Sequence, residues 1–382
     1  MNLSKDKLNR RSFLAAAPAA GAALVAGAPL TAEVPRKQFA PGEYLRVGAL
    51  NVWDYSHLLG IWGPLINPRQ DESSKEDMPF TGMRITHCWD INPDDAVRFG
   101  KRYGCQPVKN FDDMVGKVDA VISGGFYNHP WNHILHRPYL EAGLPNLINR
   151  PFSNSLSKAR EMVDVARKHS ATILTPSAME HNDVISRAKA WATGKEIRCY
   201  SATNSFNDYA THGIHGVYLL YKAIVEAGNP IVSVAYRGDR WDRPPGVLTY
   251  EHRDPNGRQF FGTLNEVSGS WGTIQIHTPE AYGGESFNIH TGTGTPYDKT
   301  EVWAPTLWAF QRMALYGKMA QTFEQLLDRN NVYLAGFLSI LEKQGQPVRL
   351  DQVPEDWRAP VWSEAENPSK TLALLEKKFG KG

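Results

Sequence analysis

The hydrophobic pattern of the folded chain begins at Leu45. Leu45–Leu50 is a short apolar run that breaks at Asn51, and Met83–Trp89 is a second, ending at Asp90. Runs of this length, apolar on both faces and bounded by polar turns, predict strands buried in a parallel sheet. Val118–Ser123, Pro145–Ile148 and Ala171–Leu174 repeat the pattern. Between them, Asp94–Gly104, His129–Ala142, Ser155–His169 and Asp183–Thr193 carry helical spacing, and Gly104, Gly143 and Gly194 stand at or just past three of the ends. Strands alternating with helices at this pitch predict a doubly wound parallel sheet with helices on both faces.

After Gly194 the period changes. Glu196–Ser205 alternates as a strand, His212–Ala227 is helical, and Ile231–His290 gives several strand-like runs punctuated by turns such as Asp254-Pro255-Asn256-Gly257. A large open antiparallel sheet is the expected form. Two helices follow, about Pro305–Lys318 and Phe323–Gln344, then a proline-rich tail with a short last helix. The fold class is α/β plus α+β, with a first domain at 44–194, a second at 195–350 and a tail at 351–382.

The first 32 residues stand apart. Asn9-Arg10-Arg11-Ser12-Phe13-Leu14 precedes an Ala/Gly-rich run from Ala15 to Leu30, which reads as a twin-arginine export signal cleaved after Ala28 or Ala32. The run is too short and too rich in Gly and Pro for a spanning helix, so the mature chain is expected to be extracytoplasmic or periplasmic, with no membrane span. The 382 residues carry net charge +2 and no basic run interleaved with aromatics, which excludes nucleic acid as the expected partner. Three cysteines at wide spacing, Cys88, Cys105 and Cys199, give no disulfide framework; buried free thiols are expected, with a Cys88–Cys105 bridge left open.

Several landmarks resemble the Gfo/Idh/MocA family of sugar and cyclitol oxidoreductases: Trp89-Asp90, Val118–Ser123, Leu140-Glu141-Ala142-Gly143, Arg150-Pro151 before a helix, Thr193-Gly194-Lys195-Glu196-Ile197, Gly213-Ile214-His215-Gly216 and Gly345-Gln346-Pro347-Val348. The resemblance spans about Arg46 to Leu350. It implies a Rossmann-like first domain whose strand ends face the second sheet, NAD(P) as cofactor, and a homo-oligomer formed through the open sheet.

The chain departs from that pattern where the cofactor would bind. Asn51, Trp53 and Ser56 stand at the glycine positions of the first loop, and a Trp side chain there obstructs the approach of a pyrophosphate to the backbone. Asp90 stands where an acidic residue would hold the ribose diol. The catalytic Lys of the family is Arg150, which cannot shuttle a proton. The Asp expected four residues before His215 is Thr211.

Other side chains offer replacement chemistry at the strand ends. His215 and His212 are candidates for a general base, with Arg150 as oxyanion stabiliser and Glu180 and His181 as further catalytic candidates. Asp54, His57, His212 and His215 offer a divalent site for Zn²⁺ or Mn²⁺. His129 and His133 follow the third predicted strand, and Tyr127, Trp131 and Trp303 are candidate platforms for a sugar ring. A His at a helix start also serves as a cap, Glu180 as the partner of a local Arg, and each aromatic as packing. Three readings follow: redox-neutral elimination or hydrolysis of a sugar or oligosaccharide, NAD(P)-linked sugar dehydrogenation, and non-catalytic carbohydrate binding.

Overall fold

The computed structural model describes residues 40, 42–53, 56–70, 82–177, 180, 182–205, 208–267, 272–280, 283–288, 303–362 and 369–382. The twin-arginine segment, Asp54 and His181 lie outside these residues.

The first sheet is parallel throughout, in the order β3-β2-β1-β4-β5-β6. Its strands are β1 (Leu45–Leu50), β2 (Met83–Trp89), β3 (Gln106–Pro107), β4 (Ala120–Ser123), β5 (Pro145–Ile148) and β6 (Thr172–Leu174). The apolar runs are buried because helices cover both faces. Val47, Ala49 and Ile85 pack under Leu307, Phe310 and Met313 of the helix Ala304–Tyr316, which returns to this sheet from the far end of the chain. Leu50 and Val121 pack on the other side with Trp131 and Leu375. The strand order reverses between β1 and β4, and the crevice outside their carboxyl ends is where such sheets hold ligands.

Most predicted helices form as read. Pro93–Tyr103 starts with a proline, carries Asp94 and Asp95 in its first turn and Lys101 and Arg102 in its last, and stops at Gly104 with φ 67°. The predicted helix over His129–Ala142 is instead three short pieces, His129–Trp131, Asn132–Leu135 and Arg137–Glu141. Pro138 has no N–H to continue the ladder, which explains the break.

The second sheet comprises β7 (Cys199–Ser205), β8 (Ile231–Arg237), β9 (Gly246–Arg253), β10 (Gln259–Val267), β11 (Thr273–His277), β12 (Gly284–Asn288) and β13 (Val348–Arg349), in the order β12-β11-β7-β10-β9-β8-β13. It is mixed rather than purely antiparallel, because β7 runs parallel to β10. The reason is the connection: β7 leaves through helical turns and returns at β8, a crossover rather than a hairpin. The other pairs are antiparallel. The inward face, with Tyr200, Leu248, Tyr250, Leu264 and Ile274, packs on the helices Ile214–Leu220 and Phe323–Glu342. Gly262 admits the Tyr200 ring, which a Cβ would meet at 2.0 Å. His252 is built into this core, bonded to Tyr200 Oη at 2.8 Å and to the Asn229 carbonyl at 2.9 Å. All three thiols are free; Cys88 and Cys105 are buried as expected, whereas Cys199 is exposed at the start of β7.

Candidate active site

The loop after β1 is pinned by the chain itself. Asn51 takes φ 52°, in the left-handed region that Asn tolerates, and its N–H donates to the Trp89 carbonyl at 3.0 Å. Asp90, at the end of β2, accepts hydrogen bonds from the backbone N–H groups of Val52 at 2.9 Å, Trp53 at 3.2 Å and Asn92 at 3.0 Å. Both of its oxygens are therefore directed at backbone, where a ribose diol would need them. Trp53 lies half-buried with the Arg98 guanidinium 4.5 Å above its ring.

The next residues close the switch point. Ser56 bridges to Gly125, and His57 N–H donates to the Gly124 carbonyl at 3.0 Å. These glycines admit the loop: a Cβ on Gly124 would stand 2.2 Å from Ser56 Oγ, and one on Gly125 3.0 Å from Asn51 Cβ. Residues 51–53, 56 and 57 thus crowd the end of β1 against Asp90, Gly124 and Gly125.

His57 is buried between three aromatic rings, 4.9 Å from Trp62, 4.6 Å from Phe126 and 4.6 Å from Trp303. Its Nδ1 is 3.1 Å from Asn149 Oδ1, and Asn149 donates through Nδ2 to the Gly124 carbonyl at 2.7 Å. That second bond fixes the amide orientation, so His57 donates from Nδ1. Burial, with Arg150 and His212 nearby, holds it well below the usual histidine range and hence neutral.

Phe126 is the hub of the remaining groups. The Arg150 guanidinium lies 4.3 Å from its ring centroid, and the His212 ring 6.3 Å away. Arg150 is 2% exposed, an unusual burial for a permanent cation. His215 is also buried; its Nδ1 lies 2.7 Å from Ser177 Oγ, and its ring 6.1 Å from that of His212. Burial first, then Arg150, His212 and His57, lower its pKa far below the usual value. His57, Arg150, His212 and His215, spread over 158 positions of sequence, thus converge on one spot.

His212 alone of these keeps a substantial exposed part, with 20% of its side chain accessible. It sits in the tight turn Tyr209–Gly213, capped by Asp208. Asp208 Oδ1 accepts from Thr211 N–H at 2.7 Å and Oδ2 from Thr211 Oγ1 at 2.9 Å, while Thr211 Oγ1 is 2.7 Å from His212 Nδ1. A hydroxyl has one proton; with the carboxylate taking it, Nδ1–H of His212 donates to Oγ1 and the lone pair is left on Nε2. Sequence reasoning missed Asp208. The carboxylate–histidine spacing sought before His215 occurs one turn earlier, in Asp208-Tyr209-Ala210-Thr211-His212.

Glu180 points elsewhere. Its Oε1 is 2.7 Å from Arg329 Nη2 in a pair with side chains 3% and 2% exposed, and Arg329 lies 4.8 Å from each of the Tyr218 and Tyr221 rings. His129 and His133 are held neutral by burial, each pushed down to about 4, and His129 donates to the Phe126 carbonyl at 3.0 Å. Among the described residues no three His, Cys, Asp or Glu side chains are placed to hold a metal ion. The expected Zn²⁺ or Mn²⁺ set does not assemble there: His57 Nδ1 faces Asn149, His215 Nδ1 faces Ser177, and the buried Arg150 cation opposes a divalent charge. Of the aromatic candidates, buried Trp131 donates to the Gly380 carbonyl and Trp303 packs on His57. Tyr127 is buried beside the β1 crevice. No helix among the described residues is long and apolar enough to cross a membrane.

Comparison with solved structures finds this architecture repeatedly. The scyllo-inositol dehydrogenase of Lactobacillus casei with bound NAD(H) and scyllo-inositol aligns at TM-score 0.63 and 14% identity, over 81% of this chain and 100% of that one. A probable dehydrogenase from Thermotoga maritima aligns at TM-score 0.61 and 15% identity, over 81% and 100%. The myo-inositol dehydrogenase of L. casei, in complex with NAD(H) and myo-inositol, aligns at 0.61 and 12%, over 80% and 96%. No protein-family model matches the sequence, and no curated protein matches it. The chain therefore has the two-domain fold of the Gfo/Idh/MocA-type dehydrogenases, the fold that its sequence landmarks implied.

Proposed function

We propose that this protein is a divergent, exported Gfo/Idh/MocA-type enzyme that acts on a sugar, cyclitol or oligosaccharide by redox-neutral proton transfer. One observation carries the reading: the Asp208–Thr211–His212 hydrogen-bond chain leaves a base on His212 Nε2 in the same cluster as the buried Arg150 cation. His212 takes a proton from a substrate carbon or hydroxyl. Asp208, through Thr211, holds the imidazole in the receptive tautomer and stabilises the imidazolium that forms. Arg150 keeps its charge throughout and stabilises the oxyanion that develops. Neutral His57 and His215 are suited to hydrogen-bond substrate hydroxyls. Elimination or hydrolysis is the reaction class in keeping with these groups, and the crowding of Gly124 and Gly125 by Asn51, Ser56 and His57 supports it. Export rests on Arg10-Arg11 and the apolar run behind it, and self-association on the outer face of the second sheet, where Phe261 is 49% exposed.

A second reading, NAD-linked dehydrogenation, is favoured by the NAD(H) bound in structures of the same fold. Mass analysis of products from a panel of glycosides, uronates and cyclitols separates the two. Loss or gain of water, abolished in His212→Gln, is expected; loss of two hydrogens coupled to NADH formation overturns the proposal.

A further inference from the structure

The crevice at the switch point is closed by a second element, the end of the chain. The helix Ser369–Phe379 carries Leu372, Leu375 and Phe379 on one stripe, and these pack into the cluster of Leu50, Trp89, Val121 and Trp131. Leu375 is fully buried. Beyond the helix, Trp131 Nε1 donates to the Gly380 carbonyl at 3.0 Å and Arg358 Nη1 to the Gly382 carbonyl at 3.0 Å. Lys378, in the last turn, places its ammonium 5.3 Å from the Trp89 ring centroid. Between the helix and the strand ends only a recess remains, about 280 Å³ including the part open to solvent, walled by Asn51, Asp90, Phe126 and Asn128 on one side and Thr371 and Leu375 on the other.

We infer that the C-terminal helix is the resident occupant of the crevice, standing where the adenosine half of a dinucleotide would lie beside the end of β2. The site has become an intramolecular docking surface. Its walls match a peptide rather than a nucleotide: an apolar floor for the leucines, aromatic rings for Lys378, and an indole N–H for the terminal backbone. The helix is a permanent part of this fold and does not yield to nucleotide. Asp90 is already bonded to the loop beneath it, so a dinucleotide entering here would have to break that tether as well as the helix contacts. This inference is independent of the reaction performed at His212.

Hydrogen exchange on the full-length chain tests it. Amides of 369–379 and 124–128 should exchange slowly together, and millimolar NADH should change neither. Leu375→Asp should speed exchange in both segments at least 10-fold while leaving β8–β10 unchanged, and still bind no NADH by fluorescence titration. If that variant fails to fold, the smaller truncation Leu375→Ala should give the same paired pattern at lower amplitude. Protection of 51–53 and 124–128 by NADH together with faster exchange in the helix would overturn the inference in favour of a displaceable gate. Release of the helix with no change at 124–128 would show that it does not occupy the crevice.

Discussion

Two loops at the mouth of the molecule use the same chemistry to opposite ends. Asp90 and Asp208 are both buried carboxylates that accept backbone hydrogen bonds at the start of a turn. Asp90 directs its acceptors at Val52, Trp53 and Asn92, which ties the start of the loop to the end of β2. Asp208 reserves Oδ2 for the Thr211 hydroxyl, which in turn engages His212, a side chain that reaches solvent. The two carboxylates part at the second oxygen: in Asp90 it meets backbone, in Asp208 a side-chain hydroxyl that touches a histidine. The first domain supplies a wall with the buried Arg150 in it; the second supplies the partly exposed His212 imidazole.

His212 is the residue whose loss should cost most. His212→Gln should lower turnover about 10²–10⁴-fold, the usual contribution of a general base, with little change in melting temperature. Thr211→Val keeps the ring but removes the hydroxyl that orders it. Nitrogen NMR of the imidazole should show His212 losing its preference for the Nδ1–H form, with turnover falling less than in His212→Gln. An unchanged tautomer in Thr211→Val would refute the relay.

A second test separates a structural carboxylate from a chemical one. Arg329→Met leaves Glu180 without its buried partner, while Glu226 keeps Lys189 and Lys222, and should destabilise the protein by about 3–5 kcal/mol, read by denaturant unfolding. Glu180→Gln should then be far milder for activity than any change at His212; equal losses would return Glu180 to the chemistry.

Acid should loosen both regions together. His129, His133, His136 and His252 are pushed down to about 4 by burial, and His57 and His215 are lowered as well. Their unfolded forms titrate near the ordinary histidine value of about 6.5, so between about 6.5 and 4 the unfolded chain binds more protons. Stability therefore rises with pH through that window and falls as pH drops through it. Unfolding midpoints at pH 7.5 and 5 should differ markedly, and replacing His252 by Gln should flatten the slope.

The smallest expected effect is at the closed loop. Asp90→Asn removes a charged acceptor of three backbone N–H groups and should cost about 1–3 kcal/mol. It should confer no NADH affinity, because Ser56 and His57 still lie across Gly124 and Gly125. Gain of micromolar NADH binding would mean that the Asp90 tether alone closes the site.

Much of this was legible in the chain. Runs such as Leu45–Leu50 and Met83–Trp89 fall at the observed strand bounds, since strands covered on both faces are mainly apolar, with Arg46 and Arg84 as exceptions. The Gly104 stop is equally local, because few residues besides glycine readily take φ 67°. Arg150 in place of a Lys, and Trp53 in place of a glycine, were visible as residue types. Partners were not visible. Which of Asp90's possible roles prevails depends on amides 37 and 38 positions away, and Glu180 meets its arginine only at Arg329. The parallel placement of β7, the return of Ala304–Tyr316 to the first sheet and the seat of the last helix are likewise long-range. Secondary structure and the inventory of side chains follow from local sterics and the need to bury apolar surface, and these the sequence determines alone. Which polar atom faces which follows from burial geometry between distant segments, and the tertiary structure sets it.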